Sequence, residues 1–361
     1  MSNSIANRLF RPEVLAMSAY KVADAKNLIK LDAMENPYCW PEAIKAEWLA
    51  SIKDCAINRY PDPEAQALAI ALRNSNQIPE RSGLLLGNGS DEIIQILLMA
   101  LQADASVLAP EPGFVMYKQV AQSLGLRYIG VPLLAESFDL DMPAMLAVIE
   151  NQQPALIFLA YPNNPTGNLF KADDILTIIK ASTGLVVVDE AYAPFADASF
   201  IDQLGNYENL LVMRTVSKLG LAGLRLGFLA GSPAVITELN KIRLPYNINS
   251  LTQATATFAL NHSDFLLQQT QQIRQQRLLM MDALSSFKNL SIYPSAANFI
   301  LIKTHEINAD QVFISLKNQG VLIKNLSAQG GLLSNCLRIT IGTADENQSL
   351  LNALTVALNP S

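Results

Sequence analysis

Between residues 64 and 250 the hydrophobic positions follow two alternating patterns. Short runs are apolar at every position, as in Leu156-Ile157-Phe158-Leu159, Leu185-Val186-Val187-Val188 and Leu210-Leu211-Val212-Met213. Such runs suit parallel strands buried on both faces. Longer stretches with helical spacing separate them. The pattern predicts helices over 64–75, 91–102, 114–125, 139–151 and 171–182, and strands over 84–86, 106–109, 128–131, 155–160, 185–188, 210–213 and 226–230. This alternation implies an α/β fold with a doubly wound, mostly parallel sheet. Ligands of such sheets collect at the C-terminal ends of the strands, so the residues just after each strand matter most.

The flanks read differently. Residues 1–58 start polar, pass through a loop at Leu31–Tyr38 and enter a helix after Pro41. Asn58–Pro63 is extended, because a residue before proline is driven out of the helical region. Ser263 opens a long helical stretch to Phe287. Strands at 298–303, 321–324 and 336–341, with helices at 309–319 and 345–358, then form a smaller α+β unit. The expected organisation is an N-terminal arm plus the first part of a small domain (1–58), a large domain (59–262) and a C-terminal small domain (263–361).

Composition narrows the chemistry. Half of the 361 residues are hydrophobic and 16% are charged, which suits a sizeable core. A net charge of −6 argues against nucleic acid as a partner, since phosphate backbones need a basic face. Met1 to Met17 lacks the apolar stretch of a signal peptide, and apolar runs break well short of the ~18 residues of a membrane span. The expectation is a cytoplasmic protein with no membrane partner. Cys39, Cys55 and Cys336 are widely spaced with no C-x-x-C, so no metal site is expected. Of the two histidines, His262 reads as lying at a helix start and His305 as following a strand, both on the surface. Ser-His-Asp chemistry has no support, and lysine, aspartate, tyrosine, asparagine, arginine or a cofactor must carry the reaction.

Thr215-Val216-Ser217-Lys218-Leu219-Gly220-Leu221-Ala222-Gly223-Leu224-Arg225 follows one buried strand. Its chemistry is that of a Schiff-base lysine, Lys218, with Ser217 and Arg225 holding a cofactor phosphate; a solvated Ser-Lys loop is the bland alternative. Gly87-Asn88-Gly89-Ser90-Asp91-Glu92 joins a strand to a helix, where free N–H groups favour an anion or where Ser90 or Asp91 simply caps. Asn164, in Pro162-Asn163-Asn164-Pro165-Thr166-Gly167, puts an amide at the ligand edge, where it could bond a phenolate oxygen, although the segment also reads as a turn. Asp189 directly follows four apolar residues, and a near-buried carboxylate needs a partner such as a pyridinium nitrogen. Tyr192 could bond that ring's oxygen.

Taken together these motifs resemble the fold-type I pyridoxal-phosphate aminotransferases, and within them the histidinol-phosphate aminotransferases. The resemblance spans nearly the whole chain. It includes Ser18-Ala19-Tyr20, Leu31-Asp32-Ala33-Met34-Glu35-Asn36-Pro37, Arg59-Tyr60-Pro61-Asp62, Arg243-Leu244-Pro245-Tyr246-Asn247, Ala297-Asn298-Phe299-Ile300 and Cys336-Leu337-Arg338-Ile339-Thr340-Ile341-Gly342. It implies pyridoxal 5'-phosphate as cofactor and transamination of L-histidinol phosphate with 2-oxoglutarate, a step of histidine biosynthesis. Lys218, Asp189 and Tyr192 are then the catalytic residues. Gly89, Ser90, Asp91, Ser217 and Arg225 hold the phosphate, Asn164 and Tyr192 bond the ring oxygen, and Phe114 stacks on the ring where many relatives have tyrosine. Tyr60 is implied to reach the phosphate of the neighbouring subunit's cofactor, which makes the expected assembly a homodimer. Tyr20, Asn36, Lys324 and Arg338 are implied to bind substrate, Lys324 standing where some relatives have arginine. The Lys218–Arg225 loop is one residue shorter than in some members. Two other activities share this machinery, an aromatic amino-acid aminotransferase and an amino-acid-phosphate decarboxylase. A non-catalytic binding protein is the remaining class, disfavoured by the lysine.

Overall fold

Two sheets of unequal size organise the chain in a computed structural model that describes residues 4–19 and 22–359. The strands are β1 (Ile29–Leu31), β2 (Gly83–Gly87), β3 (Ser106–Glu111), β4 (Arg127–Pro132), β5 (Leu156–Ala160), β6 (Leu185–Asp189), β7 (Leu210–Thr215), β8 (Gly227–Gly231), β9 (Leu290–Ile292), β10 (Phe299–Thr304), β11 (Val321–Asn325) and β12 (Cys336–Thr340). The larger sheet runs β2-β8-β7-β6-β5-β3-β4. Its strands from β3 to β7 pair in parallel, and β8 alone runs against its neighbours β7 and β2. This is the expected mostly parallel, doubly wound sheet. Every strand and helix anticipated between 64 and 250 is present, with ends displaced by no more than three residues.

The continuous apolar runs have a direct cause. Val186, Val188, Ile157, Leu159, Leu210 and Val212 enter one core, while Val187, Phe158, Leu211 and Met213 enter another on the opposite face of the sheet. Side chains alternate faces along a strand, so a strand covered on both sides must be apolar throughout. The smaller sheet runs β1-β11-β12-β10-β9 and is antiparallel except for the β1–β11 pair. Its core gathers Leu31, Phe299, Ile302, Ile323, Leu337, Ile339, Leu350 and Leu354.

Several expectations need correction. Leu31 ends strand β1 instead of opening a loop; at three residues β1 shows no alternation, and its pairing with Val321–Ile323 is what makes it a strand. Strand β9 is missed for the same reason. Helices Pro233–Asn240 and Ser250–Asn261 were not anticipated. The second hides its buried face by using threonines: Thr252 donates to the Leu224 carbonyl at 3.0 Å, and Thr255 accepts the Trp48 indole N–H at 2.9 Å. His262 closes that helix instead of opening one, with its Nδ1 2.8 Å from the Phe258 carbonyl; the helix Asp264–Ser285 begins beyond it. Tyr20 lies outside the described residues. Among the described residues no helix is long and apolar enough to cross a membrane.

Candidate active site

The loops that follow the parallel strands meet at one end of the larger sheet around a cavity of about 410 Å³. It is lined by residues from six places in the chain, among them Glu35, Ser90, Asp91, Phe114, Asn164, Asp189, Tyr192, Ser217, Lys218 and Arg225. Most of the residues expected in the site therefore converge, and they do so where a doubly wound sheet leaves a crevice.

Lys218 sits in a π-helical turn, Ser217–Leu221, directly after β7. Gly220 within that turn has φ +121°, and a Cβ there would come within 2.8 Å of the Asn36 amide nitrogen. The turn therefore needs glycine to double back. The Lys218 ammonium nitrogen donates to the Ala33 carbonyl at 3.2 Å and lies 6.0 Å from the centre of the Tyr192 ring. Burial lowers its pKa to about 8, helped by the positive charge of Arg338 and opposed by Glu35 and Asp91. At this pKa the side chain is still mostly an ammonium at pH 7, and it becomes a free amine about one pH unit above neutrality, where an ordinary lysine stays charged.

Asp189 terminates β6 and is 4% exposed. Its Oδ2 accepts the Tyr117 hydroxyl at 2.6 Å and its Oδ1 accepts the Ala191 N–H at 3.1 Å. Among the described residues no cation forms an ion pair with it. Burial raises its pKa to about 6 in spite of those two donors. The next residue, Glu190, is fully buried and has found its cation: Arg214 Nη2 and Nε donate to its Oε2 at 2.6 and 2.9 Å. The contrast singles out Asp189 as the acid left to receive a positively charged group from the cavity.

On the cavity's other side an anion cradle forms. Helix Ser90–Met99 has Gly89 at its N-cap with no side-chain cap bond, so neither Ser90 nor Asp91 caps it. Gly89 has φ +88°, and a Cβ there would sit 2.8 Å from Arg225 Nη2. The backbone thus leaves room for the guanidinium beside the uncapped helix start. Asp91 steadies Arg225 at 3.4 Å. Thr215 Oγ1 lies 3.0 Å from the Leu226 carbonyl, which can only accept its proton, and 2.9 Å from Ser217 Oγ, whose hydroxyl also lines the cavity. A dianionic group fits this set of donors.

Between the two poles, the Asn164 amide donates to the Tyr192 hydroxyl at 3.1 Å, and its carbonyl accepts Arg338 Nη1 at 2.6 Å. That second bond fixes which end of the amide faces Tyr192. Arg338, on β12, also donates to the Asp32 carbonyl at 3.0 Å and lies behind Asn164. Lys324, on β11, is directly opposite Arg338 in the antiparallel register, which puts both cations on one face of the smaller sheet.

Five of the expected residues, Gly89, Asn36, Tyr60, Lys324 and Arg338, are not among those lining the cavity; Gly89, Lys324 and Arg338 border it as described above. Asn36 does not line the cavity: its amide donates to the Leu219 carbonyl at 3.2 Å and to Gln269 at 2.9 Å, and its carbonyl accepts the Tyr38 N–H. It clamps the turn that carries Lys218. Tyr60 is 81% exposed, stacked on Tyr246 at 4.5 Å, and does not line the cavity of its own chain. Glu35, Thr215 and Tyr117 are site residues that sequence reading missed. Tyr117 had a signal, since it follows Phe114 at helical spacing; Glu35 had none, because it stands in what reads as loop.

The family model for aminotransferase class I and II matches residues 26–354. The chain belongs to that family. Among curated class I and II aminotransferases, it is 56% identical over 346 residues to histidinol-phosphate aminotransferase 2 of Nitrosococcus oceani, covering 95% of this chain and 96% of that one. It is 51% identical over 348 residues to the histidinol-phosphate aminotransferase of Chromobacterium violaceum, covering 96% and 97%. Among solved structures, the histidinol-phosphate aminotransferase of Sinorhizobium meliloti, in complex with pyridoxal-5'-phosphate, superposes with a TM-score of 0.85 at 24% identity over 97% of each chain. At that identity the likeness is one of fold, that of the fold-type I aminotransferases.

Proposed function

We propose that this aminotransferase moves an amino group between L-histidinol phosphate and 2-oxoglutarate, giving 3-(imidazol-4-yl)-2-oxopropyl phosphate and L-glutamate, with pyridoxal 5'-phosphate as cofactor. The reaction belongs to histidine biosynthesis. One observation carries the chemistry: a lysine whose pKa is lowered to about 8 shares a cavity with a buried acid that lacks a cation and with an uncapped helix start beside an arginine. The names and identities of the relatives support the substrate, and they do not favour the aromatic reading.

When bound, pyridoxal phosphate supplies an electrophilic carbon and a ring that draws electrons from the substrate's amine-bearing carbon. In this reading Lys218 anchors the cofactor and afterwards, as a free amine, takes the proton from that carbon and returns it. Asp189 balances positive charge on the ring nitrogen. Asn164 and Tyr192 bond the ring oxygen, and Phe114 packs on the ring. Gly89, Ser90 and Asp91 through their backbone, with Ser217 and Arg225, hold the phosphate. Arg338, Lys324 and Tyr20 receive the substrate's acid group, a phosphate from one substrate and a carboxylate from the other.

The working unit in this reading is a cytoplasmic homodimer. What supports the dimer is an exposed aromatic stack, Tyr60 on Tyr246, among the exposed side chains Ile57 and Leu244; Tyr60 would complete the neighbour's phosphate site. Residues 59–262 form the cofactor-binding domain in this reading, and 1–58 with 263–361 make the small domain.

The test is the visible spectrum of the purified protein. Histidinol phosphate at low concentration should bleach the cofactor band and 2-oxoglutarate should restore it. A response confined to phenylalanine or tyrosine would move the substrate to aromatic amino acids. Release of CO₂ without a requirement for 2-oxoglutarate would replace transamination with decarboxylation.

A further inference from the structure

Tyr117 is one of the largest fully buried side chains of the molecule, and yet it ends in a hydroxyl. Its ring lies parallel on Phe158 of β5, 4.3 Å away and 1° from coplanar, and meets Phe114 edge-on at 5.5 Å. These contacts fix the ring in two directions. The hydroxyl is then left with one acceptor, Asp189 Oδ2 at 2.6 Å, the length of a strong bond between a hydroxyl and a carboxylate. A phenylalanine would fill the same apolar slot, so packing alone does not account for the oxygen.

The direction of the bond follows from the surroundings. Burial and the neighbouring carboxylate drive the Tyr117 pKa well above its ordinary value, so the phenol keeps its proton and always donates. The same bond works against the burial that raises the Asp189 pKa. Tyr117 is also placed by the residue that faces the cavity, Phe114, through the first turn of helix Val115–Ser123. One short helix start therefore holds both the face of a bound ring and the acid at its edge.

Resting on the functional reading above, we propose that Tyr117 is a positioning residue: its hydroxyl keeps the Asp189 carboxylate ionised and aimed into the cavity, so that a bound cofactor ring carries its proton. Tyr117 touches neither cofactor nor substrate in this scheme and acts only through Asp189. Removing its hydroxyl leaves a buried carboxylate with one donor fewer. That carboxylate then takes up a proton more readily and gives up part of its hold on the ring nitrogen.

The experiment compares wild type, Tyr117→Phe, Asp189→Asn and the double variant as folded proteins stripped of cofactor and titrated with pyridoxal phosphate. Tyr117→Phe is expected to weaken cofactor binding about tenfold. It should also move the pH midpoint of the bound cofactor's visible band upward. A ring that loses positive charge withdraws less from the lysine nitrogen, which then keeps its proton to higher pH. In the Asp189→Asn background, Tyr117→Phe should add nothing to either readout, because the group it acts through is gone. Turnover should fall in kcat with the KM for histidinol phosphate unchanged. Unaltered affinity and midpoint in Tyr117→Phe would overturn the positioning role while the wild-type spectrum keeps the functional reading standing. Equal losses from Tyr117→Phe with and without Asp189 would also overturn it, as a packing effect. A wild type that shows no cofactor band would overturn both. Should Tyr117→Phe fail to fold, fluorotyrosine at position 117 keeps the ring and makes the hydroxyl a stronger donor; the midpoint should then move downward, and an unmoved midpoint refutes the proposal.

Discussion

At the scale of single residues, burial sets the chemistry. A lysine and an aspartate, ordinarily charged at neutrality, are each pushed toward their neutral forms by the same desolvation, Lys218 down to about 8 and Asp189 up to about 6. Only the free amine of Lys218 can capture a carbonyl compound. The rate of pyridoxal phosphate uptake by the cofactor-free protein should therefore rise as pH increases through about 8, and stopped-flow absorbance would show it. Lys218→Ala should lower turnover more than a thousandfold, roughly the scale of an essential proton carrier that is also the anchor. Asp189 supplies a second test, with the opposite sign in stability. Its folded pKa is raised above the unfolded value, so the folded chain retains a proton that the unfolded chain gives up between about 4 and 6. Stability of the cofactor-free protein falls as pH rises through that window, and the cost persists above it. Asp189→Asn should thus stabilise the cofactor-free protein at pH 8 by about 3 kcal/mol in urea unfolding, and should weaken cofactor binding at the same time. Equal or lower stability would show that the carboxylate is better solvated than its burial implies.

At the scale of elements, two helix starts are built in opposite ways. Helix Ala344–Leu358 begins with a capping box: Thr343 Oγ1 accepts the Glu346 N–H at 3.3 Å, and Glu346 accepts the Thr343 N–H at 2.8 Å. Helix Ser90–Met99 has no side-chain cap and opens at Gly89 toward Arg225. The first is closed for stability and the second left open for an anion. Thr343→Ala should cost about 1 kcal/mol of stability, read as a lowered Tm, and leave cofactor affinity unchanged. Gly89→Ala should do the reverse in emphasis. Its Cβ would press on Arg225 in a backbone region that only glycine adopts freely, so cofactor affinity should drop about tenfold or more, as measured by equilibrium titration.

At the scale of the whole molecule, the site draws on both sheets and, in the proposed assembly, on two chains. Arg338 comes from the smaller sheet and reaches Asn164 at the edge of the larger one. Tyr60 is displayed on the surface, braced by Tyr246. Mixed refolding of Lys218→Ala with Tyr60→Ala chains provides a whole-molecule test. If Tyr60 serves the partner's site, hybrid dimers contain one site with both residues intact, and activity should recover to about a quarter of wild type. No recovery, from chains shown to exchange, would confine Tyr60 to its own chain.

The chain's periodicity was enough to determine the larger sheet, because strands buried on both faces must be apolar at every position, and few other elements read that way. The ligand edge was legible as well, since Asn164, Asp189 and Lys218 each stand at the end of such a strand or within four residues beyond it. What tertiary structure decided lies where a residue's neighbours come from distant sequence. Strand β1 exists only through its pairing with β11, and helix Ser250–Asn261 buries threonines whose partners are Leu224 and Trp48. Asn36 is diverted from the cavity by Leu219 and Gln269. Glu190 and Asp189 are adjacent acids on one strand end, yet one is neutralised by Arg214 and the other is left for a ligand. Successive side chains on a strand face opposite ways, so adjacent residues meet different surroundings, and only the folded chain brings Arg214 to one side and the cavity to the other.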